Sequence, residues 1–331
     1  MAGTKLCEFR KTLIYFLVLF FFAACSEDTS QSETTFEKKN FSWTLVTTWP
    51  KNYPGVGLGP ENFAKLVEEM SDGRLKIKVY GNGELIPALE VFDAVSRGTV
   101  EMGHGASYYW IGKLPVAQFF TTLPFGLNAQ ERNAWLHYAG GLELWEKAYE
   151  PFNLIPMAGG STGVQMGGWF NKEINSLEDL NGIRIRMPGL AGEVFSRAGG
   201  EAVLMPGSEI FTNLQTGVID AAEWIGPYND LTFGFHQVAK YYYYPGWHEL
   251  GTVLEMLVNK SKFDALPTDL QEIIRTACLR LNRIVPIKFD TMNAIYLPKI
   301  QLEPSVSMRP YPDTVMDLSL IHISEPTRRY A

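Results

Sequence analysis

Apolar residues recur along the chain with two periods, and each period predicts an element. Residues 74–80 alternate, with Leu75, Ile77 and Val79 on one face and Lys76 and Lys78 on the other, the two-residue repeat of a half-buried strand. Residues 43–48 (WTLVTT) are rich in β-branched and aromatic side chains and predict a second strand. Between them Phe63, Leu66, Val67 and Met70 form the stripe of an amphipathic helix over 62–70, which Gly73 ends. The first unit is strand, helix, strand.

The pattern returns at a constant offset of 119: Glu90-Val91-Phe92 with Gly98-Thr99-Val100-Glu101 matches Glu209-Ile210-Phe211 with Gly217-Val218-Ile219-Asp220. Each copy reads as helix, glycine stop, strand, and each follows a predicted strand (RLKIKVY and EAVLM) and a Pro or Gly break. Two such units predict an α/β fold of two similar lobes facing each other across a cleft. A small ligand would be buried there, and helix N-termini pointing inward would favour an anion. In the second half Ile183, Ile185 and Met187 face one way, Arg184 and Arg186 the other, and Pro188-Gly189 ends the strand. Ligands in open α/β sheets lie beyond the carboxyl ends of strands, which puts Arg186 nearer the cleft and leaves Arg184 as a surface charge. Residues 266–297 are helical in composition. Pro267 suits a first helical position and Pro286 predicts a break or kink, so the stretch reads as one or two connecting helices. The lobes are expected over 41–163 and 164–250, with 251–318 returning to the first lobe and supplying C-terminal helices.

Both ends read as something other than the folded domain. Lys5, Arg10 and Lys11 precede an apolar run over 13–24 that is too short to span a bilayer and ends Phe22-Ala23-Ala24-Cys25. Residues 1–24 are therefore a secretory signal segment. Small residues before a cysteine suit lipoprotein processing with Cys25 as the lipidated N-terminus; an ordinary signal peptide is the alternative. Residues 25–40 have no aliphatic side chain and are expected to be a tether. Residues 319–331 (LIHISEPTRRYA and the serine before it) lack apolar periodicity and are read as a non-native tail on a truncated C-terminus.

Composition then narrows the chemistry. Cys278 is the one cysteine left in the folded part, so no intrachain disulfide is available there even in an oxidising compartment. The net charge is −7, and −9 without residues 1–24, which carry three basic residues and one acidic one. Such a surface repels nucleic acid, and an anionic ligand must be held by a local cationic group in a closed pocket. An enzyme would need an activated nucleophile or an acid/base pair, and the chain has no HExxH and no paired cysteines. Gly55-Val56-Gly57-Leu58-Gly59 lacks the spacing of a nucleotide loop and reads as a turn leading into the helix that follows.

Several longer stretches resemble the DctP-type solute-binding proteins of TRAP (tripartite ATP-independent periplasmic) transporters, especially those that bind 2-oxo acids and lactate. They are Thr48-Trp49-Pro50-Lys51-Asn52, Ser107-Tyr108-Tyr109-Trp110, Pro124-Phe125-Gly126-Leu127-Asn128-Ala129, residues 184–189 (RIRMPG), residues 217–227 (GVIDAAEWIGP) and residues 241–249 (YYYYPGWHE). The resemblance runs from about residue 41 to about 312. It implies a two-lobed periplasmic binding protein of type II-like fold that turns nothing over. Its role would be to capture a small 2-oxo or 2-hydroxy monocarboxylate and deliver it to a membrane permease; the alternative is a periplasmic sensory module for the same solutes.

Carried over by position, the resemblance implies that Arg186 grips the solute carboxylate with its guanidinium fork and that Tyr109 donates its hydroxyl to the same solute. It also implies a cation, sodium or calcium, bridging protein and solute. Its ligands would be Gln165, Glu223, the Trp224 carbonyl and Glu249, an all-oxygen set that suits a hard ion, with Gln165 and Trp224 also next to the solute. From the residues alone, Tyr109 is one more core aromatic and Glu223 and Glu249 are surface carboxylates. His248 is read as structural, and Phe211, Trp169 and Trp247 as candidates for chain-length selection. The last helices of these proteins, which help form a swapped homodimer, are missing here, so dimerisation depends on a more complete C-terminus.

Overall fold

A computed structural model of the chain describes residues 39–317; the expectations for the signal segment, Cys25 and the tail lie outside the described residues. The first unit forms β1 (Phe41–Thr47), α1 (Leu58–Met70), β2 (Leu75–Tyr80), α2 (Val91–Ser96) and β3 (Met102–Gly105). α3 (Gln118–Thr121), α4 (Ala129–Tyr138) and α5 (Gly141–Tyr149) then lead to β4 (Leu154–Ser161) and β5 (Gly168–Phe170). Asn128 starts α4 with a capping box, its side chain accepting from Gln130 N and Glu131 N while Glu131 reaches back to Asn128 N. The second unit is β6 (Arg184–Arg186), α6 (Gly189–Arg197), β7 (Glu201–Val203), α7 (Gly207–Thr216) and β8 (Ala221–Ala222). α8 (Pro227–Phe233), β9 (Tyr241–Tyr244), β10 (Val253–Asn259), α9 (Lys260–Asp264), α10 (Thr268–Gln301) and β11 (Ser307–Pro310) complete the described chain.

Sheet order shows why the sequence repeats. One five-stranded sheet runs β2-β1-β3-β10-β4 and one six-stranded sheet runs β11-β9-β5-β8-β6-β7. In the first, β1 lies parallel between β2 and β3; in the second, β6 lies parallel between β7 and β8. The third strand of each trio pairs antiparallel with a strand from elsewhere in the chain, β3 with β10 and β8 with β5. The two halves therefore share one topology, and the repeated glycines, Gly98 and Gly217, both take positive φ at the stop between helix and strand. The strand expected over 218–222 is shorter, because only Ala221 and Ala222 make ladder contacts.

The chain crosses between the sheets at 162–167 after β4, at 245–252 before β10 and again between α10 and β11, and the first two crossings run beside each other. Thr162 N donates to Thr252 O at 3.1 Å and Gln165 N to Glu249 O at 3.0 Å. Gly246 is needed for that approach, since a Cβ there would sit 2.2 Å from the Gln165 carbonyl oxygen.

Of the one or two helices expected around Pro286, the chain forms one, α10. It is one helix of 34 residues with Pro286 and Pro298 inside it. An interior proline forfeits one backbone hydrogen bond and crowds the carbonyl of Asn282. Packing holds the helix through that point: Val285 and Phe289 are buried, the first against Gly160 and the second against Gly55. No helix of the described residues is long and apolar enough to cross a membrane.

Candidate functional site

Arg186 is the last residue of β6 and is 1 % exposed, whereas Arg184, two residues earlier, lies on the surface and pairs with Glu201 at 3.2 Å. Two surfaces meet at Arg186. Its Nη1 donates to Glu223 Oε1, which follows β8 in the same sheet, and its Nη2 donates to the Tyr109 hydroxyl at 3.1 Å, which belongs to the other sheet's lobe. Nε donates to the Met205 carbonyl at 3.3 Å. The fork expected to be free for a solute is thus engaged by Glu223 on one side, and Nη2 keeps a second N–H. Burial alone would lower the affinity of this guanidinium for its proton, but the Tyr109 oxygen and Glu223 outweigh it and hold Arg186 above its ordinary pKa. Its charge is permanent. The Trp224 ring lies 5.2 Å from the guanidinium carbon, and Trp49 meets Trp224 edge-on at 6.1 Å, closing the site with aromatic faces.

The residues expected to hold a cation come together. Gln165 lies on one crossing segment and Glu249 on the other, while Glu223 follows β8; all are buried. Gln165 Nε2 donates to Glu249 Oε2 at 2.7 Å and to Thr162 Oγ1 at 3.0 Å, and Thr252 Oγ1 also donates to Glu249 Oε2. These bonds orient the Gln165 amide, so its carbonyl oxygen faces away from the network. Each of the three side chains satisfies one polar atom within the protein and leaves one oxygen with no hydrogen-bond partner: Gln165 Oε1, Glu223 Oε2 and Glu249 Oε1. An unsatisfied buried oxygen is costly, and the ligating oxygens of Glu223 and Glu249, within 4.8 Å of each other, suit a hard cation. Burial and then the charge of Glu223 push the Glu249 carboxyl well above the usual carboxylate range. A bound cation would reverse that shift. Trp224 adjoins Glu223 in the irregular stretch between β8 and α8, within chain reach of the same cluster.

His248 belongs to this cluster, contrary to its reading as a purely structural residue. It is fully buried, its Nε2 is 3.3 Å from Glu223 Oε2, and neither ring nitrogen has a hydrogen-bond partner. Ligating atoms of Glu223, His248 and Glu249 all lie within 4.8 Å of one another. Its only signal in the sequence is its place beside Glu249 at the end of an aromatic run.

A small cavity of ≈ 10 Å³ is lined by Trp49, Val56, Tyr108, Tyr109, Gln165 and Leu254 among others. Phe211, Trp169 and Trp247, the aromatics expected to select chain length, do not line it. Trp169 is stacked on Tyr242 at 4.1 Å and donates to Asp230; Trp247 is stacked on Phe125 at 5.9 Å; Phe211 packs at Gly234. They fill the core. Val56 and Leu254, which do line the cavity, sit about two hundred residues apart in sequence and gave no local sign of meeting.

The model for bacterial extracellular solute-binding proteins of family 7, DctP, matches residues 45–315. The monocarboxylate 2-oxoacid-binding periplasmic protein of Nostoc sp. is 47% identical over 277 residues, covering 84% of this chain and 76% of that protein. A TRAP periplasmic solute-binding protein of Pseudoalteromonas atlantica, solved with bound sodium and pyruvate, superposes with a TM-score of 0.86 at 43% identity, covering 88% of this chain and 89% of its own. One from Colwellia psychrerythraea, solved with bound calcium and pyruvate, gives 0.85 at 43% identity over the same shares. Family match, identity and fold agree: this chain is a member of the DctP family of bacterial extracellular solute-binding proteins.

Proposed function

We propose that the chain is the extracytoplasmic receptor of a TRAP transporter and captures pyruvate, lactate or a similarly small 2-oxo or 2-hydroxy monocarboxylate with one sodium or calcium ion. The observation that carries this reading is the set of buried, unpartnered oxygens on Gln165, Glu223 and Glu249, side chains linked by direct contacts to one another or to Arg186 and Tyr109. With both glutamates ionised and Arg186 protonated, the cluster carries −1, and a carboxylate solute makes it −2. One cation makes that burial tolerable. Gln165, Glu223, Glu249 and the Trp224 carbonyl would hold the ion, whose role is to neutralise charge and to chelate oxygens on adjacent carbons of the solute.

The other end of the solute meets donors. The Tyr109 hydroxyl accepts from Arg186, so its own proton is free to point into the cavity beside the second Nη2 N–H. Val56 and Leu254 offer apolar surface for a short alkyl end. The free space there, ≈ 10 Å³, is about that of one water, so the solute would enter with the lobes parted and be enclosed as they close. The two crossing segments supply Gln165 and Glu249, so the ion sits at the hinge and closure of the lobes would be coupled to its capture. We place the lobe boundaries in these crossings, at 163/164 and 250/251. In the same reading the receptor works in the periplasm, tethered through a lipidated Cys25, and the closed form docks on a membrane permease.

A crystal grown with pyruvate and calcium tests this. Density for the acid between Arg186 and the three oxygens is the expected result; density elsewhere, with those groups contacting neither ion nor acid, refutes the assignment.

A further inference from the structure

Glu255 lies in the middle of β10, opposite Gly105 of β3 and Ala158 of β4, and is fully buried. Its three hydrogen-bond partners are neutral. Oε2 accepts from Ser107 Oγ at 2.8 Å and from the Tyr149 hydroxyl at 3.1 Å, and Oε1 accepts from the Trp110 indole N–H. Ser107 and Trp110 are the first and last residues of a single 3-10 turn, Ser107–Trp110. Three residues make one turn of such a helix, so these two side chains lie on one side and Tyr108 and Tyr109 are turned away from it. Tyr108 and Tyr109 both line the solute cavity, and Tyr109 meets Arg186. One carboxylate therefore holds both ends of the turn whose middle faces the site.

The small neighbours make this clamp possible. A Cβ at Gly105 would stand 3.2 Å from the Trp110 ring, so glycine there lets the indole reach Glu255. A buried carboxylate without a cationic partner is destabilising relative to an apolar side chain of similar shape.

We propose that Glu255 is a positioning residue for the solute site, fixing the Ser107–Trp110 turn so that the Tyr109 hydroxyl meets Arg186 and the solute. This rests on the reading of Tyr109 and Arg186 as solute ligands. Glutamine at 255 could still accept from the Trp110 indole and donate its amide to the Ser107 and Tyr149 hydroxyls, so the substitution that releases the turn is leucine, which removes both acceptors.

The test is a double-mutant cycle on pyruvate affinity, measured by calorimetry with calcium present, for the parent, Glu255→Leu, Tyr109→Phe and the pair. Glu255→Leu should weaken binding by about tenfold alone and by less than about twofold when Tyr109 is already Phe, the non-additivity of residues acting through one contact. Equal losses in both backgrounds, or parental affinity of Glu255→Leu, overturn the proposal. Ser107→Ala removes one donor without touching the carboxylate and covers the case of a variant that does not fold; it should show a smaller loss with the same non-additivity, and unchanged affinity again overturns it. A crystal structure of either variant gives a readout independent of the solute. Tyr109 should have left Arg186, and an undisturbed contact contradicts the clamp even if the parent binds no pyruvate, a result that would instead refute the solute assignment.

Discussion

Arg186 Nη2 donates to the Tyr109 hydroxyl at 3.1 Å, and this contact joins the end of β6 in one sheet to the turn after β3 in the other. Substituting lysine for Arg186 keeps the charge but cannot reach Glu223, Tyr109 and a carboxylate together. Losing a charge-assisted hydrogen bond to the solute while keeping the charge costs about 1.5–3 kcal/mol, so pyruvate affinity of Arg186→Lys should fall by roughly ten- to a hundredfold. Calorimetric titration checks this, and a variant within about threefold of the parent would remove Arg186 from the solute site.

Much of this arrangement was legible in the chain. Strand periodicity and the repeated glycine stops gave the two parallel trios, because alternation and positive φ are local properties. Arg186 was legible from its place at the end of a strand. Tertiary facts were not. Pro286 signals a break on local grounds, yet Val285 and Phe289 are buried by partners far away in sequence and keep α10 whole. His248 could be placed in the cluster only once the two crossing segments were seen side by side, and Trp169 and Trp247 are large, polar-tipped aromatics that turned out to serve the core.

Glu249 lies where function and stability oppose each other. Burial and the charge of Glu223 raise its pKa well above the usual range, so the ionised form is stabilised less in the folded apoprotein than in the unfolded chain. At neutral pH, Glu249→Gln relieves that penalty. The variant should melt higher than the parent in chelator, by a few degrees, and should lose most of the shift that calcium gives the parent. Thermal melting with and without calcium measures both, and a variant that loses stability in chelator while keeping its calcium response would contradict this account of the cluster.

Asp230 gives a pH dependence elsewhere in the same lobe. It is buried and accepts from Trp169 Nε1, the Tyr242 hydroxyl and the backbone N–H groups of Ile225 and Gly226, and burial outweighs these donors to raise its pKa to about 7. An acid whose folded pKa lies above its unfolded value binds more protons when folded, so stability is highest below the unfolded value and declines as pH rises from there to about 7. Over that window Asp230 should remove on the order of 4 kcal/mol. The apoprotein should therefore melt lower at pH 8 than at pH 5.5, and Asp230→Asn should reduce the difference, leaving the part due to Glu249 and Glu255, whose pKa values burial also raises. A parent and variant with parallel melting profiles across this range would show that Asp230 does not titrate there.

The central claim is that a cation held by Gln165, Glu223 and Glu249 is part of solute capture. Titration of pyruvate into chelator-treated protein, repeated after adding back sodium or calcium, tests it most directly. Binding should be absent or at least about a hundredfold weaker without the ion, an effect of about 2.7 kcal/mol, and should return when one of the two ions is restored. Equal affinity in chelator and in either ion would contradict it.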